Sequence, residues 1–200
     1  MPTPPPFILI SPPPMDFKPS QKKAKLRRAI RAQLQSLTSD EKHRASAQLC
    51  EQIVAYLAQR PAIKTIASFA ALPIEPDLRA LHQLLPKHKI VYPKSRPSGG
   101  MQFYHVSEPS TLVVGRYTIL EPVESEKIRI SIDSIQLFLC PAFAYTNEGE
   151  RLGKGGGYYD RALTQRAPNS QLLGIIFKQQ LLTELLTEAH DITMDAVLSA

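Results

Sequence analysis

Gln136-Leu137-Phe138-Leu139-Cys140-Pro141-Ala142-Phe143 is the most hydrophobic run of the chain, and Arg151-Leu152-Gly153-Lys154-Gly155-Gly156-Gly157-Tyr158-Tyr159-Asp160-Arg161 follows close behind it. A short apolar run without polar alternation reads as a strand covered on both faces, which places it near the centre of a sheet. Four of the chain's nine glycines fall within residues 153–157. The two stretches together read as central strand, glycine-rich loop and helix, the helix spanning Tyr158–Gln165.

Working outward, the same alternation continues. Leu172–Phe177 reads as another central strand, Leu181–Thr187 as a helix and Val197–Ser199 as a final strand. Upstream, Thr65–Ala71 reads as a buried strand. Pro76 then opens a helix carrying Leu78, Leu81, Leu84 and Leu85. Lys89–Lys94 and Met101–Val106 read as strands around the turn Pro97–Gly100. A first helix near Ser20–Leu37 is predicted from Leu26, Ile30, Leu34 and Leu37 at helical spacing. Thr38-Ser39-Asp40-Glu41 is a capping box for a second helix, with Leu49, Ile53, Tyr56 and Leu57 on its apolar face and Pro61 as its stop. Strands alternating with helices imply an α/β fold: a three-layer sandwich with a central, largely parallel sheet flanked by helices.

The length of 200 residues suits one hydrophobic core. Residues 21–200 are therefore expected to form a single domain. Residues 1–20 are expected to be a disordered tail, because eight prolines from Pro2 to Pro19 exclude regular pairing. Those prolines and the lack of a basic opening argue against a secretory signal. No apolar run reaches the roughly 20 residues of a membrane span. Cys50 and Cys140 lie far apart and form no CxxC pair, so they read as reduced, packed thiols of a cytoplasmic protein. The formal net charge of +6 favours anionic ligands, whether nucleic acid, a nucleotide or a polycarboxylate.

The glycine-rich loop narrows that choice. Glycines let backbone amides approach phosphate oxygens, and the helix start behind them adds positive partial charge. Arg151 and Lys154 can neutralise phosphate directly. The loop is not a Walker A motif, since Lys154 precedes the glycines and no GK[ST] is present, and it is not GxGxxG. Lys22, Lys23, Lys25, Arg27, Arg28 and Arg31 crowd the first helix's early turns, where positive charge opposes the macrodipole. They read either as a solvated face or as cations awaiting an anion.

The string RLGKGGGYYDR, placed shortly after Pro141-Ala142-Phe143, resembles the RLGxGxGYYDR signature of the 5-formyltetrahydrofolate cyclo-ligase (5,10-methenyltetrahydrofolate synthetase) family. Lys23-Ala24-Lys25-Leu26-Arg27, Leu72-Pro73-Ile74-Glu75-Pro76-Asp77, Tyr117-Thr118-Ile119-Leu120-Glu121-Pro122 and His190-Asp191-Ile192-Thr193-Met194-Asp195 resemble other segments of that family, in the family's order. The resemblance covers about Lys22 to Ala200. It implies an enzyme of folate and one-carbon metabolism that uses ATP to cyclise 5-formyltetrahydrofolate to 5,10-methenyltetrahydrofolate, releasing ADP and phosphate, with Mg²⁺ as cofactor. It implies ATP binding by Lys23, Arg27 and the run Arg151, Leu152, Gly153, Lys154, Gly155, Gly156, Gly157, Tyr158 and Tyr159, with Arg151 and Lys154 catalytic. Ala70, Glu75 and Tyr117 would contact the folate, and Asp160 and Asp195 would hold the metal. The expected partners are these small molecules, with no nucleic acid and no membrane, and the expected state is a monomer.

Each assignment has a plainer counterpart. Glu75 before Pro76 suits simple capping, Asp160 suits a helix start, and Asp195 suits a loop cap. His190 beside Asp191 resembles a dyad, but the proposed reaction needs no strong base. The sequence departs from the family in its Pro-rich tail and at Gly156, where some members carry another basic residue; Lys154 would then take more of the phosphate charge. Two other readings compete. Gly153-Lys154-Gly155-Gly156 satisfies the GxxG of RNA-binding KH domains, but those are shorter and set the motif between two helices. A non-catalytic folate-binding relative is the other, and intact Arg151, Lys154, Asp160 and Asp195 argue against it.

Overall fold

In the computed structural model, residues 19–188 and 191–200 are described. The expected tail thus lies outside the described residues, except that Pro19 and Ser20 already belong to the first helix. Four α-helices run over Pro19–Gln35 (α1), Ser39–Ala58 (α2), Leu81–Leu84 (α3) and Tyr158–Leu163 (α4). The strands are β1 (Thr65–Ala67), β2 (Lys89–Ser95), β3 (Met101–His105), β4 (Val113–Val114), β5 (Leu120–Glu121), β6 (Arg129–Ile130), β7 (Leu137–Pro141), β8 (Ala144–Thr146), β9 (Arg151–Leu152), β10 (Gln171–Ile176), β11 (Leu181–Leu182) and β12 (Ala196–Ser199).

Seven strands form one sheet in the order β12-β10-β7-β1-β2-β3-β6. The pairings from β12 to β2 are parallel, and β3 and β6 extend the sheet antiparallel. The hydrophobic run β7 stands between β10 and β1, and all five of its residues are buried. Parallel strands covered on both faces lose the polar alternation of half-exposed ones, which is why this segment stands out in the sequence. One face packs against Leu49, Cys50, Ile53 and Leu57 of α2 and Leu81 of α3, which meet Ile66, Leu139 and Ile175. The other face gathers Phe138, Cys140, Leu172 and Ile176 against Tyr145 and against Leu163 of α4. The sandwich is the expected one. Ile30 and Leu34 of α1 form a third cluster with Phe143, Leu152 and Phe177, beside the small sheet β11-β8-β9.

The capping box opens α2 as read: Thr38 accepts from the Glu41 amide, and Glu41 reaches back to the Thr38 amide. Two predicted helices fail. Of Pro76–Leu85 only Leu81–Leu84 is helical, because local bonds hold the rest in turns. The Asp77 amide donates to Ser46 Oγ, and Asp77 Oδ1 accepts from the Arg79 amide. Leu181–Thr187 is not a helix either, since Leu181–Leu182 pairs in parallel with β8. Buried Gln180 fixes that path: it accepts from the Phe177 amide and donates to the carbonyls of Ala142 and Phe143. The glycine-rich loop leaves not the central strand itself but β9, the far arm of a hairpin with β8.

Candidate active site

Pro141 ends β7, Ser95 ends β2, and Leu72 lies on the segment leaving β1; all three line one cavity of about 670 Å³. It therefore opens beyond the carboxyl ends of parallel strands, where α/β sheets bind ligands. The whole run Arg151–Asp160 lines it, joined by Lys23 and Arg27 of α1 and by Tyr117. Residues from distant parts of the sequence thus meet at one cavity, and Lys23 and Arg27 of the basic helix turn towards it rather than lying on a wholly solvated face.

Local geometry explains the composition of the loop. Gly155 has φ +98° and Gly157 φ +63°, backbone that favours glycine. A Cβ on Gly155 would also approach the Arg27 guanidinium, and one on Gly157 would meet Arg161. Arg161 Nη2 donates to the Gly156 carbonyl at 2.7 Å, and its Nε donates to the Gly99 carbonyl at 3.0 Å. The last residue of the motif thereby braces the loop against the β2–β3 turn. Nothing in the sequence beyond its place at the end of the motif marks Arg161 for this role.

Cations and carboxylates are matched one against another around the cavity. Arg151, its side chain 5% exposed, forms an ion pair with Asp160. Burial opposes its charge, but Tyr145 and Asp160 outweigh that and hold its pKa above the ordinary value. Lys154 Nζ lies 2.5 Å from Glu75 Oε1, and the other oxygen of Glu75 accepts from the Leu72 amide. Lys23 lies 3.0 Å from Glu188 and 3.3 Å from Asp191, two acids whose role the sequence reading missed. Arg27 Nε donates to the Gly153 carbonyl at 2.7 Å, and burial lowers its pKa. Tyr117 stands 65% exposed at the rim, its hydroxyl 3.1 Å from that of Tyr158, with the two rings edge to face. Its φ of 57° lies in the left-handed region, uncommon for an aromatic residue.

Not every predicted site residue joins this group. Glu75 lines a second cavity of about 810 Å³ behind the Lys154 pair, near Ser46 and Asp77. Ala70 lines neither cavity and packs against the first core cluster. Asp195 accepts from the Leu172 amide at 2.7 Å, and its own amide donates to the Leu172 carbonyl. It precedes β12 at the amino-terminal end of the sheet and does not line the cavity with Asp160. The structure therefore separates the two carboxylates read as a metal pair. No group of three or more metal-ligating side chains occurs among the described residues. A magnesium ion needs only one or two carboxylates when phosphates and waters complete its shell; of the predicted pair only Asp160 lines the cavity, where Glu188 and Asp191 also stand. His190 lies outside the described residues.

Fold and cavity define an α/β protein with a braced glycine loop, flanked by cations, beyond the carboxyl ends of its parallel strands. The sequence model of the 5-formyltetrahydrofolate cyclo-ligase family matches residues 19–200. The chain belongs to that family, whose name is that of a ligase enzyme. It is 29% identical over 177 residues to the 5-formyltetrahydrofolate cyclo-ligase of Escherichia coli (strain K12), covering 85% of this chain and 96% of that protein. A stretch of 91 residues is 35% identical to the Mycolicibacterium smegmatis enzyme of the same name, over 46% of this chain and 47% of that one. The fold resembles the 5,10-methenyltetrahydrofolate synthetase of Mycoplasma pneumoniae with a TM-score of 0.73 at 25% identity, covering 88% of this chain and 96% of that structure. No helix among the described residues is long and apolar enough to cross a membrane.

Proposed function

We propose that the chain uses ATP to cyclise 5-formyltetrahydrofolate to 5,10-methenyltetrahydrofolate, with ADP and phosphate as the other products. The observation that carries this reading is the meeting of Lys23, Arg27, Arg151 and Lys154 with the glycine loop in one cavity beyond the strand ends. That arrangement suits a polyphosphate.

The formamide carbon of the substrate is a weak electrophile whose oxygen leaves poorly. Transfer of the terminal phosphoryl group to the formyl oxygen forms a P–O bond and expels ADP. The N10 amine then attacks the activated carbon, its proton leaves, and the C–O bond breaks to release phosphate. Phosphoryl transfer of this kind depends chiefly on positioning and charge neutralisation. Arg151 and Lys154 face the transferring phosphoryl group, Lys23 and Arg27 hold the remaining phosphates, and Tyr117 offers an aromatic face to the flat ring of the folate. Glu75 supplies a carboxylate to hydrogen-bond donors of that substrate. Asp160 would touch a magnesium ion carried in on the nucleotide. When bound, that ion adds positive charge against the phosphate oxygens.

The strand-to-helix setting of the loop, between β9 and α4, favours this reading over an RNA clamp. The test is turnover: purified chain, MgATP and 5-formyltetrahydrofolate, followed by the absorbance of the methenyl product. Product that requires ATP is the expected result. Folded protein that binds folate without forming product would leave a non-catalytic relative, and protein that binds neither substrate would overturn the proposal.

A further inference from the structure

The Lys154–Glu75 ion pair stands in the wall between the two cavities. Lys154 lines the phosphate-facing cavity, and Glu75 lines the one behind it. The carboxylate side is buried, 3% exposed, while the ammonium side is 38% exposed on a glycine-flanked loop. The other oxygen of Glu75 accepts from the Leu72 amide at 2.9 Å. Leu72 itself lines both cavities, so the pair is fixed at the point where the two adjoin.

We infer that this pair is an exchange device that makes the two substrates bind cooperatively, with nucleotide phosphate drawing Lys154 away from Glu75 and so freeing the carboxylate for donors on the folate. The inference rests on the ATP and folate reading given above. A buried carboxylate that loses its cation is strongly unfavourable unless new donors replace it. Before the nucleotide arrives, the folate must compete with Lys154 for Glu75. Afterwards the carboxylate is in need of a partner, and an amino-substituted heteroaromatic edge with N–H donors satisfies it. The exposed, flexible member of the pair is the one that moves, and the buried member is held by Leu72. The exchange is intramolecular and needs no other reactant. Because binding linkage is reciprocal, folate strengthens nucleotide binding by the same factor.

Calorimetry on the full chain measures this factor. Dissociation constants for 5-formyltetrahydrofolate are taken with and without a saturating magnesium complex of a non-hydrolysable ATP analogue, and the reverse titration is run with folate saturating. We expect the nucleotide analogue to tighten folate binding about tenfold, within the usual range of coupling between sites. In Lys154→Met, and independently in Glu75→Gln, each ligand still binds but the factor falls to near one. Lys154 sits on the exposed loop, so its replacement keeps the test valid should the Glu75 variant fail to fold. A wild-type factor near one, with both ligands bound, overturns the exchange and leaves the functional reading intact. A factor that survives in both variants means that the ligands couple by direct contact, which also overturns it. Failure of either ligand to bind the wild-type chain overturns the functional reading, and the exchange with it.

Discussion

Arg27 of α1 donates from Nε to the carbonyl of Gly153 at 2.7 Å, joining residues 126 positions apart. The bond ties the basic helix to the glycine loop, so that the helix shapes the loop as well as adding charge. Arg27→Ala removes the tie and a cation together. A hydrogen bond from a charged donor contributes about 1.5–3 kcal/mol, and each ~1.4 kcal/mol is tenfold in affinity. The expected result is a rise of about tenfold or more in KM for ATP with a smaller fall in kcat. Steady-state kinetics at varied ATP checks this, and Arg27→Lys should recover only part of the loss, since lysine lacks the planar fork.

Asp160 faces the cavity and also pairs with buried Arg151. Asp160→Asn keeps a hydrogen-bonding group there but removes the charge. Turnover should fall by at least roughly 10–100-fold, the range for losing even an outer partner of a metal's ligand. Far-ultraviolet circular dichroism should stay unchanged. The fall should be steepest at limiting Mg²⁺, and unchanged turnover there would remove Asp160 from the metal role. Asp195→Asn should leave the Mg²⁺ dependence unaltered, since its carboxylate serves the Leu172 amide away from the cavity.

Most of the sheet was legible because its central strands are buried on both faces, which leaves an unbroken apolar run such as Leu137–Pro141. The loop was legible because its glycines are demanded by backbone geometry at Gly155 and Gly157. What failed was local chemistry with a distant cause. Leu181, Leu182, Leu185 and Leu186 recur at helical spacing, but Gln180 reaches carbonyls at Ala142 and Phe143 and turns the chain into a strand. The ion pairs that decide the site, Lys154 with Glu75 and Lys23 with Glu188, span the fold and leave no mark on sequence spacing. Asp195 shows the converse: a motif position identifies a residue without saying where the fold puts it.

The helix that carries Lys23 and Arg27 is anchored by Ile30 and Leu34, both fully buried. Ile30→Ala should cost about 2–5 kcal/mol of stability, the usual range for emptying such a site. Urea denaturation followed by circular dichroism measures this. The same variant should bind nucleotide more weakly, because α1 loses its seat under the loop.

Burial raises the pKa of several neutral acids: Cys140 to about 12, Cys50 to about 11 and Tyr92 to about 12. Each stays protonated in the folded chain at pH values where the unfolded chain has lost the proton. The folded state then binds more protons, so stability is fully present below the ordinary pKa and declines as pH rises towards the raised one. Thermal unfolding should show a falling Tm from about pH 9 upward. Neither thiol should react with a thiol reagent at neutral pH until the protein unfolds. Rapid labelling of native protein would contradict the burial of both.

In the proposed reaction ATP activates the formyl oxygen, and this oxygen leaves with phosphate. The most direct measurement uses 5-formyltetrahydrofolate carrying a heavy-oxygen label at the formyl position, turned over by the purified chain with MgATP, with mass analysis of the released phosphate. Methenyl product with the label in the phosphate is the expected result. Methenyl product whose released phosphate carries no label, or no product from protein that binds both substrates, would contradict it.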